Sequence, residues 1–138
     1  FVNILLNCKI KEGLIDVDDT QFDWKNRANV RLFNSLIFIK DGELILDANT
    51  QIRITNNVEV YKFFQSPKKL RKKIKKIDLN FTYNFDQKSA DLKDIKIDKK
   101  FNNNVNEVLN NLVLKANNLQ NKIYIKNLLN EAIKSYAG

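Results

Sequence analysis

The chain has no histidine, one cysteine, one proline and only three glycines among its 138 residues. Each shortage excludes something. Without histidine the commonest general base is gone, and with it the Ser-His-Asp and Cys-His arrangements and most zinc and iron sites. A lone Cys8 excludes disulfide frameworks, zinc knuckles and CxxC redox pairs within this chain. Cys8 falls on the apolar side of an alternating stretch and is expected to be a small buried hydrophobe. With Gly13, Gly42 and Gly138 as the only glycines, neither a GxGxxG turn nor a P-loop can be built. No run approaches the roughly 20 apolar residues of a membrane-spanning helix, and no signal-peptide pattern is present. Asp16, Asp18 and Asp19 form the densest acidic group, but without the spacing and glycine of a calcium loop they read as a solvated turn. The expectation is a non-enzymatic chain with no catalytic residue, metal or cofactor.

What is present is alternation. The stretch Val30 to Thr55 reads as two long strands joined at Asp41-Gly42, a pair suited to a type I′ hairpin because both central residues need φ > 0. After the turn Leu44, Leu46, Ala48, Ile52 and Ile54 share one face, and Glu43, Asp47, Asn49, Gln51 and Arg53 share the other. Before it, strict alternation groups Val30, Leu32, Leu36 and Phe38 against Phe33, Ile37 and Ile39. That strand is expected to be covered on both sides. Ile77, Leu79, Phe81, Tyr83 and Phe85 form the most regular dry face, and a turn at Gln87 to Ser89 leads into Ala90 to Ile97. Upstream, Val2 to Ile10 and Leu14 to Trp24 read as two further strands, the second slipping its period across Asp18 to Gln21 as a bulge or bend would.

Two helical patterns follow. Asn56 or Asn57 can cap a short helix over Val58 to Gln65, stopped by Pro67, with a short apolar strand as the competing reading. From Phe101 the spacing becomes helical, first through Val105, Val108, Leu109, Leu112 and Leu114, then through Ile123 to Tyr136, with a break at Asn117-Asn118. The chain is therefore expected to be one α+β domain: about six antiparallel strands over residues 1–100, forming a twisted or curved sheet, and two amphipathic helices over 101–138. Because it opens with Phe1 inside a strand pattern, it reads as a fragment of a longer protein.

The net charge is +8, in a composition rich in Lys, Asn and Ile that makes much of this charge a compositional background. The concentrated part is Lys68, Lys69, Arg71, Lys72, Lys73, Lys75 and Lys76. With Leu70 and Ile74 facing inward these would form a one-sided stripe, open to three readings: a solvated approach to the next strand, contact with anionic lipid headgroups, or, less favoured, contact with nucleic acid. No RNP-type aromatic motif or helix-turn-helix pattern supports the last. The dry faces pose a parallel question. Leu44, Leu46, Ile52, Ile54, Leu79, Phe81, Tyr83 and Phe85 are too many to leave in water. They are either core beneath the helices or the lining of a groove for acyl chains.

Four stretches in order resemble the C-terminal region of the AsmA-like family, the YhdP- and TamB-type envelope proteins. They are Gly13 to Lys25 with its Phe22-Asp23-Trp24-Lys25 ending, the Asp41-Gly42-Glu43-Leu44 hairpin, Val60 to Gln65 followed by the basic run and Ile77 to Tyr83, and Leu128 to Ala132 with Tyr136-Ala137-Gly138. The resemblance implies a Gram-negative periplasmic domain whose full-length protein is anchored in the inner membrane through a part absent here. It implies a β-sheet groove that carries phospholipid acyl chains toward the outer membrane, without covalent chemistry. On that reading the dry-face residues would line the path and the basic run would meet headgroups. The alternative from another class is a structural or protein-interaction module whose helices seal an ordinary core.

Overall fold

Nine strands form one antiparallel sheet in the computed structural model, which describes residues 2–110 and 122–138. The strands are β1 (Val2–Leu5), β2 (Lys9–Lys11), β3 (Leu14–Asp16), β4 (Gln21–Trp24), β5 (Ala28–Lys40), β6 (Glu43–Ile54), β7 (Lys76–Asn84), β8 (Ser89–Ile97) and β9 (Lys100–Phe101). Helix α1 (Asn57–Phe64) interrupts the strands between β6 and β7, and α2 (Asn103–Asn110) and α3 (Lys122–Ala137) follow them. The α+β class expected from the periodicity is the one observed. The two N-terminal strands expected from alternation are each divided: β1 pairs with β4 and β2 with β3, so together they make one hairpin interrupted midway. At the interruption the Thr20 hydroxyl takes over the pairing, accepting from the Asn7 amide at 3.3 Å and donating to the Asn7 carbonyl at 3.2 Å. The three aspartates are structural here. Asp16 and Asp18 accept backbone amides, and Asp19 pairs with Arg31.

The central hairpin turns at Asp41 (φ 53°) and Gly42 (φ 81°), with Lys40 opposite Glu43, as the type I′ geometry demands. The expected grouping of faces in β5 does not hold. Asn34 and Ser35 together oppose the single residue Ala48, a bulge in which Asn34 takes φ 46°. Asn tolerates that left-handed conformation better than most residues. The extra residue reverses every side chain beyond it, so Ile37 and Ile39 join Val30 and Leu32 on the dry face while Leu36 and Phe38 move to the other. Ser35, fully buried, stabilises the bulge: its Oγ accepts from the Asn49 amide at 2.9 Å and donates to the Phe33 carbonyl at 3.0 Å. A second bulge at Lys93 in β8 lies at the same level, because Ala48 pairs with Phe81 and Phe81 with Leu92. A line of irregularity thus crosses the sheet, and bulges there increase its twist and bend.

Helix α1 begins where the Asn56 side chain accepts from the Glu59 amide at 3.2 Å and ends at Gln65 in the left-handed region (φ 57°), two residues before Pro67. Asn57 has another task. Its side chain donates to the Ile74 carbonyl at 2.8 Å and accepts from the Ile74 amide at 2.9 Å, clamping the basic connector to the helix start. Helices α2 and α3 lie on the dry face over β7 and β8, where Ile74, Ala90, Ile97, Val105, Leu109, Leu128 and Ala132 form the closed core. Asn106 joins helix to sheet, donating to the Ile95 carbonyl and accepting from its amide, both at 2.9 Å. The expected helical positions Leu112 and Leu114, with the break at Asn117-Asn118, lie outside the described residues. Cys8 is exposed, a correction to its expected burial: residues 6–8 leave the ladder between β1 and β2, so alternation no longer assigns them a face.

Tyr61, the buried residue of α1, donates its hydroxyl to the Lys72 carbonyl, and burial raises its pKa above the usual 10. A phenol that holds its proton more tightly when folded contributes stability that is present below the unfolded value and lost as pH rises through the folded one. Stability is therefore expected to fall as pH climbs past about 10. In a Tyr61→Phe variant followed by urea denaturation across that range, the fall should be shallower; an identical fall would assign it to other groups.

Candidate functional site

Register places the dry face of the open half. Pairing of Phe22 with Val30, Trp24 with Ala28, Val30 with Ile52 and Leu46 with Tyr83 aligns the apolar positions of β4, β5, β6 and β7 on one side. Helix α1 stands at one end of this surface. There Trp24, Phe63 and Phe64 pack together, with Trp24 and Phe63 edge-to-face at 5.0 Å and Phe63 and Phe64 at 5.1 Å. Such contacts hold large rings in fixed orientations. Between the aromatic cluster and the line of bulges lies an open groove of about 710 Å³. Its walls are Phe22 and Trp24 from β4, Val30 and Leu32 from β5, Leu46, Ile52 and Ile54 from β6, Ile77 and Phe81 from β7, and Val60, Phe63, Phe64 and Leu129 from the helices. Among the described residues Thr50 is the only uncharged polar residue of the lining, and its buried Oγ1 has no hydrogen-bond partner among them.

The helices close the other half. A separate cavity of about 100 Å³ lies under them, sharing Ile54, Val60, Phe64, Ile77 and Leu129 with the groove and otherwise lined by the helical core. The helix-covered core and the open groove therefore share one wall of side chains. No described helix is long and apolar enough to cross a membrane.

Of the dry-face residues singled out from the sequence, the structure brings Leu46, Ile52, Ile54 and Phe81 into the groove. Leu79 shares their face, opposite Thr50, but does not line it. Tyr83 packs against the helical core and meets Phe85 edge-to-face at 5.0 Å. Leu44 and Phe85 sit exposed at the hairpin end, joined by the Phe85 amide donating to the Leu44 carbonyl at 2.9 Å. The residues missed are Phe22, Trp24, Val30 and Leu32 with the α1 aromatics. Period-two spacing marks Phe22 and Trp24 as sharing a face, but only the pairing of β4 with β5 sets them beside Leu46 and Ile52.

None of the basic run lines the groove. Lys68 and Lys69 lie in a 3₁₀ turn, and residues 71–75 lead into the interior strand β7, so the run does not protect a sheet edge. Arg71 is tied to the Ser66 carbonyl at 2.9 and 3.0 Å, Lys72 donates to the Tyr136 carbonyl at 3.1 Å, and Lys76 pairs with Asp78 at 2.8 Å. Lys68, Lys69, Lys73 and Lys75 remain exposed.

Fold and site together define an α+β domain with a half-covered antiparallel sheet and an apolar groove of ligand size, the usual range being about 300–1,000 Å³. No protein-family model, curated protein or solved structure matches the chain.

Proposed function

We propose that this chain is a non-catalytic lipid-handling domain of the cell envelope, which shields the acyl chain of a phospholipid in the groove between β4–β7 and α1. The observation that carries the reading is the groove itself: large, open, walled by aliphatic and aromatic side chains, and left uncovered by every described element. Monomeric domains rarely leave so much contiguous apolar surface without a use. A lipid that places about ten methylenes there gains roughly 8 kcal/mol, comparable with the roughly 4–15 kcal/mol that association costs, so that a second chain or a headgroup contact would supply the surplus. The resemblance to AsmA-like proteins supports the same reading and supplies its setting: a periplasmic domain of an inner-membrane-anchored protein, contributing to phospholipid transport and outer-membrane homeostasis. The alternative of a structural or protein-interaction module draws on the small, helix-covered cavity under α2 and α3.

Native mass spectrometry with lipid extraction separates the two. The purified chain should carry phospholipid or take it up from added vesicles, and Leu46→Asp with Phe81→Asp should abolish loading while the circular dichroism spectrum and melting transition persist. A lipid-free mass with no uptake would leave the structural module as the function.

A further inference from the structure

The groove has one charged end. Arg27 occupies the turn between β4 and β5, and its backbone is fixed on both sides: its amide donates to the Trp24 carbonyl at 2.9 Å, and its carbonyl accepts the Thr55 and Asn56 amides at 2.8 and 3.1 Å. The guanidinium lies 5.4 Å from the Trp24 ring centroid and 5.1 Å from that of Phe63, both groove walls. From the opposite element, α3, the Lys126 ammonium stands 5.0 Å from the same Phe63 ring. The two charges are therefore separated by no more than the sum of their distances to that ring. Among the described residues neither has a carboxylate partner. Glu59 is paired with Lys62 at 2.9 Å and accepts from Arg27 through its backbone carbonyl at 3.4 Å; its carboxylate, held below its ordinary pKa first by Lys62, also feels the Arg27 charge. At the far, hairpin end the charges are mixed, with Asp41, Glu43 and Asp86 beside Lys40 and Lys88.

We propose that the groove takes a phospholipid with an anionic headgroup in a single orientation, its phosphate held between Arg27 and Lys126 and its acyl chain running past Trp24 and Phe63 toward Leu46 and Phe81. The proposal rests on the groove reading and adds polarity and headgroup class to it. Arg27 is suited to the role because its planar fork offers parallel N–H donors to phosphate oxygens, while Lys126 supplies a second, rotatable charge. The aromatic groove walls beneath both cations shield them from water on one side.

Trp24 is the only tryptophan and lines the groove, so its fluorescence reports occupancy directly. The protein is incubated with vesicles of phosphatidylglycerol brominated near either the glycerol or the methyl end of the chain, and then freed of vesicles by sedimentation. Bromines near the glycerol should quench Trp24 more strongly. Arg27→Gln with Lys126→Gln should weaken phosphatidylglycerol uptake about tenfold and erase the positional difference, with uptake of uncharged brominated diacylglycerol unchanged. Equal quenching from both positions, or a double variant that loads phosphatidylglycerol like the native chain, would overturn the orientation and leave the groove reading standing. No quenching by any probe would remove both.

Discussion

Replacing Asn106 with alanine is expected to lower the unfolding free energy by about 3 kcal/mol, or roughly 10 °C in melting temperature. Asn106 is only 5% exposed and satisfies both backbone groups of Ile95 while also donating to the Asn102 carbonyl at 2.9 Å. Each such bond contributes about 1 kcal/mol net, and its loss inside the structure strands a buried partner that water cannot reach. The bonds also fix where α2 sits on β8, next to Val105 and Leu109 in the closed core. Equilibrium urea denaturation would measure the loss; a change below about 1 kcal/mol would mean that apolar packing alone positions α2.

Deleting Asn34 should cost a comparable amount, about 3 kcal/mol or more, while leaving the faces of β5 unchanged, because it removes the one residue by which this strand exceeds its partner. In the native chain, by contrast, a ladder without the bulge would bring Leu36 and Phe38 to the dry face and expel Ile37 and Ile39. Both arrangements are apolar, so hydrophobicity alone scarcely distinguishes them. Hydrogen bonds select the bulged one: the Asn34 amide donates to the Asp18 carboxylate at 2.8 Å, its carbonyl accepts from the Asn49 side chain at 2.8 Å, and Ser35 Oγ accepts the Asn49 amide. The deletion removes this set and breaks the join between Val17 and the Ser35 carbonyl. Denaturation together with hydrogen exchange at Asn49 would test it. A variant as stable as the native chain, with Asn49 still protected, would show that the hydrogen bonds around the bulge contribute little to stability.

These two residues also mark where reading the sequence stops. The alternation in β6 and β7, the Asp41-Gly42 turn, the Asn56 cap and the helical spacing of the tail are local properties. A side-chain period, a positive φ or a capping oxygen acts within a few residues, and so the α+β class and most elements were legible. The expected grouping of Leu36 and Phe38 with Val30 failed because a bulge in β5 is stabilised from Asp18 and Asn49, residues distant in the chain. Burial of Cys8 failed for a related reason, since leaving the ladder cancels the alternation that assigned it a side.

The site divides in the same way. Sequence alone determined that Leu46, Ile52, Ile54 and Phe81 would share a dry face, because strand geometry turns successive side chains to opposite sides whatever lies elsewhere. Only the tertiary structure decided that this face is covered by helices over β8 yet open from β4 to β7, and that Arg27 and Lys126, almost a hundred positions apart in the numbering, meet at one aromatic ring. What covers a face depends on where helices dock, and docking is settled by long-range contacts, such as those of Asn106 with Ile95, that no local pattern encodes.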